Sequence, residues 1–177
     1  SFIFLFCLLG ALMAEIKADS VLIDIAVGIF GKGVGGPAKA AVLSSALFGT
    51  ISGSSLANVT TTGTFTIPLM KKTGYEPEFA GAVEATASTG GQIMPPVMGA
   101  AAFIIAEFVG ESYLTICIAA ALPALLYFIG VFTAVHVKAK ASGLKGIPAE
   151  ELPNVGEVLK KKGYLLLPLV SIIVVLI

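Results

Sequence analysis

The chain has 177 residues, 56% of them hydrophobic and 12% charged, with a mean hydropathy of +0.98. Soluble domains carry about 25% charged residues, so this composition excludes a disordered tail, a collagen-like chain and an ordinary soluble enzyme. It indicates an all-α polytopic membrane protein. Eleven lysines balance eleven acidic residues and there is no arginine. That excludes a nucleic-acid-binding face and carboxylate recognition by a guanidinium fork within this chain.

In chain order, residues 1–37 predict the end of a scaffold helix and a short arm helix. Phe2 to Ala14 is the apolar helix end, and Glu15, Lys17 and Asp19 mark an interface. Val21 to Phe30 is too short to span and carries Asp24, which favours a helix lying along the membrane surface. Gly31 to Pro37 is a turn. Its Gly31, Gly33 and Gly36 satisfy G-x-G-x-x-G, but no strand precedes them, so a dinucleotide site is not supported.

Residues 38–72 predict a re-entrant helical hairpin. Two apolar arms, Ala38 to Ile51 and Thr60 to Met70, flank a polar centre at Ser52-Gly53-Ser54-Ser55-Leu56-Ala57-Asn58. The arms reach about 21 Å and about 16 Å at helical rise, short of a hydrocarbon core of about 30 Å. Lys39 at one end and Lys71-Lys72 at the other put both ends on one side. Residues 76–110 predict a broken helix, with halves Glu76 to Thr89 and Val97 to Val109. Ser88-Thr89-Gly90-Gly91-Gln92 and Pro95-Pro96 interrupt it, because glycine loosens a helix and proline removes a donor.

Residues 113–136 predict a spanning helix, 137–163 a polar loop and 164–177 a further, truncated spanning helix. The loop's lysines outnumber its acids, which assigns it to the cytoplasm. Gly110-Glu111-Ser112 then lies outside and Lys71-Lys72 inside. The chain starts in one apolar run and stops in another, as an internal fragment of a longer membrane protein would. Cys7 and Cys117 are expected as small buried hydrophobes.

Chemistry concentrates at the two interruptions. Hydroxyl, amide and backbone oxygens suit a small hard cation, and half-helix N-termini suit an anionic substrate. Paired interrupted segments point to ion and substrate sites in secondary transporters. Glu84, about two turns into the first half-helix, is costly at mid-membrane. It is expected in a structural hydrogen bond or at an interfacial position, with proton coupling as the alternative role. Glu107 and His136 are expected at interfaces. Ser52 and Ser54 have no base beside them, since the single histidine is His136, so an enzyme is not expected. A channel, a proton-coupled carrier and a structural membrane subunit remain as alternatives.

The runs Phe48-Gly-Thr-Ile-Ser-Gly-Ser-Ser-Leu-Ala-Asn-Val, Ile67-Pro-Leu-Met-Lys-Lys-Thr-Gly-Tyr and Gly90-Gly-Gln-Ile-Met-Pro-Pro-Val-Met-Gly resemble the large membrane subunit of tripartite ATP-independent periplasmic (TRAP) transporters. The Asn58-Val-Thr-Thr-Thr-Gly form looks most like permeases paired with TAXI-type receptors. The resemblance covers nearly the whole chain. It implies an elevator-type, sodium-coupled importer of organic acids such as C4-dicarboxylates in the inner membrane. It implies two inverted repeats, of which this chain is most of the first. It also implies a periplasmic TAXI-type receptor and a small membrane subunit as partners, with sodium as coupling ion and no other cofactor. By that likeness Ser52, Gly53, Ser54, Asn58, Gly90 and Gly91 hold sodium. Ser54, Ser55, Asn58, Thr61, Gln92 and Pro95 contribute to the substrate site.

Overall fold

The computed structural model describes residues 18–167, and among them there is helix and turn but no strand. The helices are α1 (Ala18–Phe30), α2 (Gly36–Ser52), α3 (Ser55–Lys72), α4 (Pro77–Gly90), α5 (Ala100–Val109), α6 (Tyr113–Ala141) and α7 (Val155–Lys162). Short 3-10 turns occupy Gly91–Ile93, Ala149–Glu151 and Gly163–Leu166. The expected scaffold segment Phe2 to Ala14 and most of 164–177 lie outside the described residues.

The hairpin is α2 and α3. Its non-helical tip is only Gly53 and Ser54, so the polar centre that follows is helical from Ser55 onward. Two local features explain this. Gly53 takes the left-handed φ of 58° that closes α2, a conformation glycine adopts without a Cβ penalty. Ser54 Oγ then caps α3 by accepting from the Ala57 N–H at 3.3 Å. The arms of 17 and 18 residues are each about 26 Å long at helical rise.

The second expected interruption is also present. α4 ends at Gly90, and residues 91–99 are irregular apart from the 3-10 turn. Pro95-Pro96 is a cis peptide, and Met98 sits at a φ of 52°. α5 then resumes for 10 residues and ends on Gly110 at φ 74°. α6, with 29 residues, is the one described helix long and apolar enough to cross a membrane, and an 18-residue stretch of it has a mean hydropathy of 2.3. It runs five residues past the expected boundary at 136. Lys138 and Lys140 sit favourably against the negative end of its dipole, and nothing breaks it before Gly143 at φ 64°.

α2 is the central helix. Ala38, Ala41, Val42 and Ala46 pack with Met70 of α3, Ala80, Val83 and Ala87 of α4, and Phe128, Val135 and Ala139 of α6. Such small residues let helices approach closely, as membrane bundles require. The opposite face of α6 exposes Ile118, Leu122, Leu126 and Ile129, each at least 60% accessible, as a bilayer-facing surface does. The arm helix α1 buries Leu22 against Phe48 and Ile51, and Ile23, Ala26 and Val27 against Ala40 and Ile147.

Residues 142–163 fold back onto α1 and onto the mouth of the hairpin. The Ile147 N–H donates to the Gly31 carbonyl at 2.8 Å. Lys72 pairs with Glu151 at 2.8 Å and Lys162 with Asp24 at 3.2 Å. These contacts gather the lysine-rich segments at one end of the molecule. They also account for the glycine cluster at Gly31 to Gly36. A side chain on Gly31 would run into Leu152, and one on Gly36 into the backbone of Gly31. The glycines serve close packing.

Candidate functional site at the hairpin tip and helix break

The tip of the hairpin meets the break between α4 and α5. Gln92 Nε2 donates to Ser55 Oγ at 2.7 Å. The Val97 N–H points to the Thr50 carbonyl at 3.4 Å, and the Gly99 N–H donates to the Gln92 carbonyl at 2.7 Å, which folds the break back on itself. Two pairs of backbone segments touch directly. Gly49 lies against the Cα of Gly91, and Gly53 lies against the Met98 carbonyl, so a Cβ at Gly49 or Gly53 would overlap the facing backbone. A Cβ on Gly91 would also come within 2.9 Å of Asn58 Nδ2. Four helix ends converge here: the C-termini of α2 and α4 and the N-termini of α3 and α5. Each terminus carries about half an elementary charge, negative at the carbonyl ends and positive at the amide ends.

Beside this junction is a cavity of about 480 Å³ walled by Ser52, Gly53, Ser54, Gln92, Val97 and Gly99, with the first turn of α5 and Ile93 completing it. Of the residues expected to touch ligands, Ser52, Gly53, Ser54 and Gln92 line it. Ser55 reaches it only through Gln92. Asn58, Thr61 and Pro95 stand outside its wall. Thr61 is half-buried on α3 and Pro95 half-buried in the break. Gly90 packs against the ring of Tyr127, and Gly91 against Gly49. Among the described residues no cluster of His, Cys, Asp or Glu could hold a metal. A cation at the junction therefore depends on neutral hydroxyl and carbonyl oxygens. Cys117 is buried, with its Sγ 3.6 Å from the Pro96 carbonyl; Cys7 lies outside the described residues.

Asn58 is fully buried. Its Nδ2 donates to the Ser45 carbonyl at 2.8 Å, and its Oδ1 faces Thr62 Oγ1 at 3.1 Å. Thr62 leads to Glu84, which is also fully buried. Glu84 Oε1 accepts from Ser45 at 3.0 Å, from Ser88 at 3.1 Å and from Thr62, while Oε2 accepts from Thr66. Of the two placements expected for Glu84, the interfacial one is excluded by its full burial, and the structural hydrogen bond is a cage of four hydroxyls from α2, α3 and α4. Ser45, Thr62, Thr66 and Ser88 were not expected at the site. Their signal is in the sequence: Asn58, Thr62 and Thr66 follow one another at i,i+4 on α3, and Glu84 and Ser88 do so on α4, each a polar stripe in an otherwise apolar setting.

The sequence pattern of the tripartite ATP-independent periplasmic transporter, DctM component, matches residues 1–177. The chain belongs to this family. Among curated relatives, the C4-dicarboxylate TRAP transporter large permease protein DctM of Pseudomonas aeruginosa is 34% identical over 149 residues, covering 83% of this chain and 34% of that protein. The protein of the same name from Vibrio cholerae is 30% identical over 157 residues, covering 88% and 33%. An uncharacterized protein, y4mL, of Sinorhizobium fredii is 32% identical over 121 residues, covering 68% and 28%. The chain spans about a third of the length of the curated relatives it matches. The DctM family is a family of components of tripartite ATP-independent periplasmic transporters.

Proposed function

We propose that this chain is part of the large permease subunit of a sodium-coupled secondary transporter in the bacterial inner membrane. It imports organic acids handed over by a periplasmic receptor of TAXI type, together with a small membrane subunit. The observation that carries the reading is the junction of tip and break, where four helix ends and a set of neutral oxygens surround one cavity. Neutral oxygens beside helix C-termini suit a hard monovalent cation, and helix N-termini beside them suit a carboxylate. Family membership and the names of the two DctM relatives support carboxylates as the substrate class.

In the proposed cycle, sodium bound between tip and break orders Ser52, Ser54, Asn58 and Gln92, and a carboxylate follows. The hairpin and α4 then move together against α6. The hydrogen bonds between hairpin and break support a single moving body. The seam between α2 and α6 is apolar, with a groove of about 320 Å³ lined by Val42, Leu43, Ala46, Leu125, Phe128 and Ile129, whereas the Tyr127 hydroxyl of α6 donates to the Thr86 carbonyl of α4 at 2.8 Å and the Tyr113 hydroxyl to the Val97 carbonyl at 2.6 Å, bonds that the movement has to exchange.

The test is uptake of labelled mono- and dicarboxylates into vesicles holding the complete protein, its small subunit and its receptor. An inward sodium gradient should drive accumulation. Accumulation driven by a proton gradient alone would overturn the sodium reading. It would favour a proton-coupled carrier, the second reading that the buried carboxyl of Glu84 supports. In that case Glu84→Gln should abolish pH-driven uptake.

A further inference from the structure

The break is held by α6 as well as by the hairpin. Tyr113 opens α6, where the Ser112 cap fixes the first turn by accepting from the Thr115 N–H at 3.2 Å. The Tyr113 ring stacks on Phe103 of α5, with centroids 4.3 Å apart and planes 7° from parallel. Its hydroxyl stands 2.6 Å from the Val97 carbonyl and 3.0 Å from the Pro96 carbonyl. A phenol has one proton to donate, and the shorter approach gives it to Val97. The Cys117 thiol, a weak donor one turn further along α6, stands 3.6 Å from the Pro96 carbonyl and serves that acceptor. Two donors on one face of α6 thus meet two successive carbonyls of the break.

The Val97 carbonyl is a sensitive point to hold. It belongs to the peptide plane that leads into Met98, and the rotation of that plane about the Met98 N–Cα bond is φ. Met98 has a φ of 52°, a left-handed conformation that costs a non-glycine residue energy and persists only where its surroundings impose it. On one side of that bond the Met98 side chain is buried with Ala102 and Cys117. On the other side the Tyr113 hydroxyl holds the peptide plane. Val97, Met98 and Gly99 line the cavity, whereas Tyr113 does not. We propose that Tyr113 is a positioning residue whose hydroxyl, through the Val97 carbonyl, sets the 97–99 wall of the ligand cavity. The assignment rests on the proposed ligand site, but not on the identity of the coupling ion. The bond crosses from α6 to the break, so the movement has to exchange it, and the wall is set only in the position described here.

Tyr113→Phe removes the hydroxyl and keeps the ring stack. Tyr127→Phe is its control. It removes the α6 hydroxyl that donates to the Thr86 carbonyl of α4 at 2.8 Å, and Thr86 does not line the cavity. With the complete protein in lipid nanodiscs, amide hydrogen exchange over residues 97–99 should rise about tenfold in Tyr113→Phe, the size expected for one lost hydrogen bond, and keep the parent rate in Tyr127→Phe. In vesicles that also hold the small subunit and the receptor, the probe is the labelled carboxylate that the parent accumulates. Tyr113→Phe should raise its concentration for half-maximal uptake by about tenfold. The maximal rate should not fall, because the movement no longer has that bond to break. Tyr127→Phe should leave half-saturation unchanged. Parent-like exchange at 97–99 or parent-like half-saturation in Tyr113→Phe would overturn the assignment. So would an equal rise in half-saturation in both variants, the mark of a generally loosened seam, or a rise in exchange spread over α2 and α3. If the parent protein accumulates no carboxylate, the proposed function fails, and the exchange pattern decides this assignment by itself.

Discussion

At the mouth of the hairpin Lys72 meets Glu151 at 2.8 Å with both side chains more than half exposed, whereas Glu84 of α4, packed against the hairpin nearer its tip, is fully buried among hydroxyls from three helices. The mouth uses charge that water and salt screen, where an ion pair contributes about 0–1 kcal/mol. The interior uses one carboxylate and neutral donors, each of which costs about 1–3 kcal/mol if left without a partner. Lysines crowd the mouth. Among the described residues none approaches the tip, where backbone and hydroxyl oxygens prevail. A membrane helix pair can thus keep its charges at one end for orientation and its neutral oxygens at the other for a ligand.

Substitutions at both ends can break this contrast. The largest effect is expected at the backbone contact between tip and break. Gly49→Val has no room against Gly91 and should destabilise by about 3 kcal/mol or more, seen as a sharply lowered melting temperature in detergent. Glu84→Ala follows. It opens a cavity and takes the carboxylate acceptor from Ser88, while Ser45, Thr62 and Thr66 keep other partners, and should cost about 2–3 kcal/mol by the same measurement. A milder loss with Glu84→Ala than with Lys72→Ala would dissolve the contrast altogether.

Tyr75, in the turn between α3 and α4, gives a change of opposite sign. Its hydroxyl is buried and has no hydrogen-bond partner among the described residues, and burial pushes its pKa from 10.0 up to about 12. Tyr75→Phe should therefore be neutral or stabilise by about 1 kcal/mol. The pH dependence has a definite sign. The folded chain holds the phenol proton more tightly than the unfolded one. The contribution is thus fully present below pH 10 and lost as pH rises toward 12. Tyr75→Phe should remove that fall from the alkaline unfolding profile. The smallest effect is expected from Lys72→Ala, below about 1 kcal/mol and vanishing in high salt.

Much of this arrangement is legible in the residues themselves. Gly53 between two apolar arms, and Gly90-Gly91 followed by Pro95-Pro96, mark the tip and the break because glycine and proline act on the backbone locally. The meeting of tip and break was expected from family resemblance, since no local rule brings Ser55 to Gln92 across the fold. The extent of the tip was harder to foresee. Ser55, Asn58 and the threonines at 60–62 have weak helix propensity, yet they are helical because the Ser54 cap starts α3 and tertiary packing holds it. The cage around Glu84 was half visible. Its i,i+4 stripes on α3 and α4 can be read from the sequence, but Ser45 joins them from α2 only through packing. The extra turns of α6 and the folding of residues 142–163 onto α1 depend on a contact between distant segments, Ile147 with Gly31, that periodicity does not encode.

The most direct measurement is the sodium dependence of carboxylate uptake by the complete protein with Asn58→Ala and, separately, Gln92→Ala. If the junction of tip and break holds the coupling ion, both variants require more sodium for half-maximal uptake, by about tenfold for the loss of one good ligand-ordering contact. Parent-like sodium activation in both variants would contradict the account.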